Sequence, residues 1–219
     1  MGTIYNPSIV RDGLVLHLDA ANVKSYPGTG TTWTNMGTVG GAHTLTTAPL
    51  TTFNGVECFN MTAGYASYTG TTISMGTNYT LMSWASMLSD ASVTTWRTLW
   101  RTQSAHHPLL IQDSTNLIGS YDSGGFKSTS ITLQSLGTET AWRMYCVQRA
   151  GANMHFYFDG EFAATVTSDS GNGMTWADVG YRGSQPPGYV ATTMLYNNVL
   201  LSANEIRQNY NALKGRYGL

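Results

Sequence analysis

Charge is the scarcest commodity in this 219-residue chain. Lys and Arg number 11 and Asp and Glu 12, so 11% of residues are charged, against about 25% in an ordinary soluble domain. The formal net charge is −1. That balance excludes the basic face a nucleic acid or an anionic membrane would grip. Weak self-repulsion also suits a protein that packs against copies of itself or onto a larger body. Cysteine is nearly absent. Cys58 and Cys146 lie in the apolar runs GVECF and RMYCV, too few for a disulfide framework. They read as two buried, reduced thiols, with one bridge between facing strands as the alternative. No run approaches the roughly 18 apolar residues of a membrane span. The opening Met-Gly-Thr-Ile-Tyr-Asn-Pro lacks the basic and apolar regions of a signal peptide. Synthesis in the cytoplasm without a leader is therefore expected. No Pro-rich or Ser/Gly-rich linker divides the chain, and single β-sandwich domains reach about 200–250 residues.

Motifs of chemistry are missing too. There is no G-x-S-x-G, and neither cysteine has a neighbouring histidine. No H-x-x-x-H or C-x-x-C marks a metal site. His106 and His107 are adjacent, and adjacent side chains on extended backbone point opposite ways. Asp113 and Asp122 could offer oxygen ligands, but calcium takes about 6–8 of them, so both read as solvated loop acids. No metal and no cofactor is expected.

Thr, Ser, Gly and Asn are plentiful, and they suit a dense array of strands and turns. Leu14, Leu16 and Leu18 alternate with Val15, His17 and Asp19, a period-2 strand. Residues 79–88 (YTLMSWASML) form a long, almost wholly apolar strand that belongs in the interior. Shorter strands are expected over residues 56–59, 98–102, 109–112, 117–121, 130–133, 142–149 and 154–158. Asp159-Gly160 between FYF and EFAATV is a hairpin signal of the type I′ kind. Ser202-Ala-Asn-Glu205 is a capping box, and Ile206, Tyr210 and Leu213 follow on one helical face. Gly215 supplies a stop. The predicted organisation is an N-terminal arm over residues 1–12 and one sandwich over 13–219, with a helix over about 203–214.

The segments GLVLHLDA, YTLMSWASM, WRMYCVQRAGANMHFYFDGEFAATV and LYNNVLLSANEIRQNY together resemble the laminin-G-like, or concanavalin A-like lectin/glucanase, superfamily. Its common forms are a W-H-H-V-A strand, a Y-V-D-G hairpin and an I-Y-N-R-A-L-S-x-x-E-I ending. Residues 142–147, 157–160 and 195–206 match them with substitutions; Arg143 and Met144 depart from the pattern. The resemblance spans about residues 10 to 212. It implies an all-β, two-sheet antiparallel jelly-roll sandwich with a short C-terminal helix. Residues 12–37 and 205–219 are similar to the beginnings and ends of such domains in tailed-bacteriophage virion proteins, which implies a chain displayed on a particle.

Glucanases of the superfamily carry acids on one strand as E-x-D-x-x-E, since paired carboxylates must face one cleft. No such triplet exists here; Asp159 is used by its turn, and Glu57 and Glu139 are isolated. The expectation is thus not an enzyme but a virion structural protein, either capsid decoration or cement or a tail accessory. Its partners would be the major capsid or tail protein, with neither nucleic acid nor membrane insertion. Residues 1–12 would serve as a docking arm. The alternative is a glycan-binding adhesin that holds host surface polysaccharide, with a glycan hydrolase ranked last. Candidate sugar contacts are the loop aromatics and their polar neighbours: His106, His107, Tyr121, Asp122, Tyr181, Arg182 and Tyr189. Trp96-Arg97 is a further pair of this kind, while Arg207, Lys214 and Arg216 read as helix-end charges.

Overall fold

The structure, a computed structural model, describes residues 7–88, 95–103, 106–137, 140–168, 174–181 and 184–219. Seventeen strands are present among them. The first seven are β1 (Leu14–Asp19), β2 (Thr32–Thr34), β3 (Ala42–Thr46), β4 (Leu50–Phe53), β5 (Val56–Met61), β6 (Tyr65–Tyr68) and β7 (Ser74–Met75). The middle group is β8 (Asn78–Met87), β9 (Arg97–Thr102), β10 (His107–Ile111), β11 (Leu117–Asp122) and β12 (Gly125–Thr132). The last are β13 (Arg143–Ala150), β14 (Asn153–Phe158), β15 (Glu161–Thr167), β16 (Met174–Val179) and β17 (Gly188–Asn197). Helix α1 (Ala203–Leu213) follows.

The strands form two antiparallel sheets, a β-sandwich. One has eight strands in the order β15-β14-β13-β8-β17-β5-β4, with β1 also on β17. The other has nine, in the order β12-β11-β10-β9-β16-β6-β3-β2, with β7 on β16. At the centre of the first sheet β8 lies between two strands from the last third of the chain, pairing Cys146 with Met82 and Met194 with Met82. Inward residues such as Leu81, Ala85, Trp100, Ile111, Val147, Phe156 and Leu195 fill the space between the sheets. The Asp159-Gly160 turn has positive φ at both residues, 51° and 86°, as a type I′ hairpin requires.

A second cluster covers the outer face of the eight-stranded sheet. Met82, Trp84, Met144, Cys146 and Tyr196 project there and meet Ile206 and Tyr217. Trp84 stacks on Tyr217 at 4.0 Å between ring centroids and on Tyr210 at 5.6 Å. Helix α1 starts on its capping box: Glu205 N donates to Ser202 Oγ at 3.3 Å, and Ser202 N donates back to Glu205 Oε2 at 2.7 Å. Those bonds hold the Glu205 carboxyl below its usual range. The expected stop at Gly215 is displaced. A 3-10 turn (Lys214–Tyr217) continues the helix and ends at Gly218, which has φ 76°; the extension is what brings Tyr217 onto Trp84. Residues 8–10 also lie against the helix, with Val10 N donating to Asn209 Oδ1 at 2.7 Å and Gln208 Nε2 to the Ser8 carbonyl. Both cysteines are free and buried, and burial pushes the Cys58 thiol up to about 11.

Arg97 and His43 are among the polar side chains sealed inside. Arg97 is not a loop residue but fully buried, donating to the Leu88 and Gln112 carbonyls and to Asn116 Oδ1. His43 is buried beside Trp33 and accepts from Trp176 Nε1 at 2.8 Å.

Truncation of Trp84 to Ala should cost about 3–5 kcal/mol in denaturant unfolding, since it removes the ring on which Tyr210 and Tyr217 rest; a loss below about 1 kcal/mol would show the outer cluster to be dispensable. Acid should also destabilise the fold. Burial holds His43 down at about 3 and His107 at about 4, so the unfolded chain takes up protons that the folded one refuses. Stability is then complete above about pH 6.5 and falls as pH drops from there toward 3, by about 1.4 kcal/mol per unit for each such histidine. Unfolding free energies at pH 7 and 4.5 check this, with His43→Gln predicted to flatten the slope.

Candidate functional site

The nine-stranded sheet turns one face away from the core, and its central strands crowd aromatic and polar groups onto that face. Pairing slips between Leu109 and Leu110, between His107 and Leu110, and between Trp176 and Asp178. Such irregularities re-aim side chains that strict alternation would bury. They leave His107, Leu110, Arg101 and Asp178 on the outer face, beside Tyr121 and Tyr181. Gly180, at φ 80°, turns the chain out of β16, and Tyr181 closes a bridge to Gln185.

The result is a groove of two adjoining pockets that share Tyr181. One, of about 420 Å³, is lined by Tyr68, Arg101, Gln103, Asp178 and Ser184 together with Tyr181. The other, of about 320 Å³, is lined by Trp96, His107, Leu110, Tyr121, Tyr181 and Gln185. His107 meets Tyr181 edge-on at 5.5 Å and Tyr121 at 6.0 Å. Trp96 braces Tyr121 at 6.2 Å, and Tyr121 is 40% exposed.

Hydrogen bonds fix the polar side of the groove. The Arg101 guanidinium lies 4.4 Å from the centre of the Tyr181 ring and donates to Asp178 Oδ2 at 3.1 Å. Ser67 donates to Asp178 Oδ1 at 2.6 Å. Thr98 Oγ1 donates its single proton to Gln185 Oε1 at 2.5 Å. It must therefore accept from His107 Nδ1 at 2.9 Å, which assigns the proton of the neutral ring to Nδ1 and leaves Nε2 an acceptor. Burial first, then Arg101 and His106, hold His107 down at about 4. The groove thus presents ring faces, a neutral acceptor and an oriented ion pair. It can stack on an apolar face and exchange hydrogen bonds with hydroxyls.

Of the predicted residues that the structure describes, His107, Tyr121 and Tyr181 line the groove, while His106, Asp122 and Tyr189 do not. His107 is not in a loop before Pro108; it opens β10 and is buried. His106 lines a small cavity behind the groove with Tyr79, Ser120, Met154 and Ser168, and His107 and Tyr121 reach that cavity too. Asp122, next to Tyr121 on one strand, faces the other way and is buried, accepting from Ser168 Oγ and Gly124 N, both at 2.8 Å. Tyr189 belongs to the other sheet, where it stacks on Phe53 at 3.8 Å. Arg182 lies outside the described residues. At the C-terminus, Arg207 pairs with Glu161, and Arg216 donates to both oxygens of Asp19. Among the described residues, no group of three His, Cys, Asp or Glu is placed to hold a metal ion. Sequence reading missed Arg101, Asp178, Thr98 and Gln185. A signal existed for two of them: Arg101 and Asp178 are charged residue types inside strand runs, next to Trp100 and Val179, of a charge-poor chain.

No family model matches this chain, and no curated protein matches it. Solved structures do, at identities that show the fold alone. A sialidase from Trypanosoma rangeli aligns over 93% of this chain with TM-score 0.63 and 15% identity. The match spans only 33% of the sialidase chain. The ligand-binding domain of botulinum neurotoxin serotype D, in complex with N-acetylneuraminic acid, aligns over 92% of this chain and 51% of its own, with TM-score 0.64 and 12% identity. Domain 4 of AbnA, a GH43 extracellular arabinanase from Geobacillus stearothermophilus, in complex with arabinotriose, covers 90% of this chain and 98% of its own, with TM-score 0.62 and 13% identity.

These neighbours correct one expectation and leave another without support. Reading the chain as no enzyme rested on missing motifs, the E-x-D-x-x-E strand and the nucleophile patterns; chains of a sialidase and an arabinanase carry this fold, so those absences do not exclude a glycosidase. The virion role implied by the sequence resemblance finds no support among them, whereas glycan-linked domains recur.

Thr98→Val should cost about 1–3 kcal/mol in denaturant unfolding by stranding the His107 and Gln185 partners. An unchanged midpoint would show that the chain of bonds from His107 to Gln185 does not order the groove.

Proposed function

We propose that this chain is a glycan-binding module whose sugar site is the groove on the outer face of the nine-stranded sheet. The carrying observation is the arrangement of Tyr121 and Tyr181 around a neutral His107, beside the Arg101–Asp178 pair. Sugar rings have apolar faces that rest on aromatic side chains, and hydroxyls that both donate and accept. Tyr181 and Tyr121 supply the first kind of contact. His107 Nε2, Gln103 and the Arg101–Asp178 pair supply the second. The pockets, together several hundred cubic ångströms, are of the size that holds small ligands. The glycan-bound toxin domain and the arabinanase domain lend the reading support as holders of the same sandwich.

The test is a glycan array that includes sialylated and arabinan oligosaccharides, followed by titration of each hit. Tyr181→Ala is predicted to weaken binding about tenfold or more while the fold is retained. Tyr189→Ala, on the opposite sheet, should leave affinity unchanged. An array without a hit, or a Tyr181→Ala protein that binds as well as the parent, would sink the proposal.

A further inference from the structure

A second pocket lies on the other sheet. It has a volume of about 370 Å³ and is lined by Arg11, Lys24, His17 and Asn22 on its polar side, with Ile9, Leu14 and Met36 among its apolar residues. No carboxylate is among its lining residues. The acid nearest in sequence to His17 is Asp19, and it is already engaged: Arg216 Nη1 donates to both of its oxygens at 2.8 and 2.9 Å, and Ala21 N donates to Oδ1 at 3.0 Å. Asn22 Oδ1 is taken by the Lys24 backbone amide at 3.0 Å, which leaves its Nδ2 group as a donor.

The two cations stand out against the rest of the chain. Every other described lysine and arginine meets a carboxylate, a backbone carbonyl or an aromatic ring. Arg11 and Lys24 are, among the described residues, the pair whose side chains have none of these, and both line this one pocket. In a chain with 11 basic residues, the two unengaged ones line one pocket with the Asn22 amide group and an apolar wall, and charged and neutral donors of this kind are what an oxyanion takes. Burial, chiefly, lowers the His17 pKa; of the charges around it Asp19 raises it most, and Arg11 and then Arg216 lower it.

We infer that this pocket is a binding site for an oxyanion (a carboxylate, sulfate or phosphate) carried on a small organic frame, with Arg11 and Lys24 as its charged contacts and Asn22 as a neutral donor. The apolar side, Ile9, Leu14 and Met36, would cover the frame. The site is independent of the sugar groove, which lies on the other sheet.

The experiment is a titration of the full chain, followed by amide NMR, with glucuronate, glucose 6-sulfate and glucose 6-phosphate, and with glucose as the uncharged control. The three anions distinguish the carboxylate, sulfate and phosphate sources. Saturable shifts centred on Arg11, His17, Asn22 and Lys24 are expected for at least one anion and not for glucose. Arg11→Gln and Lys24→Gln, both at exposed positions, should each weaken binding about tenfold, and Tyr181→Ala should leave it intact. Absence of saturable binding by all three anions at millimolar concentration, equal binding of glucose, or unchanged affinity in the Arg11→Gln/Lys24→Gln double variant would overturn the inference.

Discussion

From Tyr79 to Met87 every residue of β8 is buried, and a strand has two faces, so something must cover each. The nine-stranded sheet covers one, over Leu81, Ala85 and Met87. On the other, Met82 and Trp84 are covered by Ile206, Tyr210 and Tyr217 at the C-terminus. The polar members are not left bare: Ser83 Oγ is hydrogen-bonded to Thr193 at 2.7 Å and accepts from Trp100 Nε1 at 2.8 Å, and Thr80 Oγ1 donates to the Val199 carbonyl at 3.0 Å. An unsatisfied hydroxyl in such a place would cost about 1–3 kcal/mol. Doubly buried, β8 lies at the centre, and the strands that flank it, β13 and β17, come late in the chain. The sandwich and the docked helix are two consequences of one apolar run.

With one sheet committed to that helix, the other is left with an open outer face. The pairing slips around Leu110 and Asp178 break the inside–outside alternation there. They let a charge-poor chain place an ion pair, three tyrosine rings and a neutral imidazole on one surface. The burial that keeps His107 uncharged also makes it an acceptor, and Thr98 decides which nitrogen plays that part.

Sequence periodicity reached the fold well because the strongest signals are local. The Asp159-Gly160 turn, the Ser202 capping box and the alternation of Leu14, Leu16 and Leu18 each demand one backbone conformation. Reading residues 79–88 as interior was right, but burial by a helix on the second face could not be seen in a period-2 pattern. The candidate groove was half legible. Tyr121, Tyr181 and His107 were reached as polar-flanked aromatics and a histidine, yet Asp122 and Tyr189 came with them, because local sequence does not say which face a side chain takes. Arg101 and Asp178 were missed since their facing depends on slips in pairing with distant strands. Arg97 was misread for the same reason: an arginine inside a sandwich is explained only by the carbonyls of Leu88 and Gln112 that converge on it.

The central claim, that the outer face of the nine-stranded sheet holds a sugar, is tested most directly by mapping a bound glycan on the amide spectrum of the folded chain. The account predicts that shifts cluster on Thr98, Arg101, His107, Tyr121 and Tyr181 and leave Phe53 and Tyr189 still. Shifts centred on Phe53 and Tyr189, with the groove silent, would contradict it.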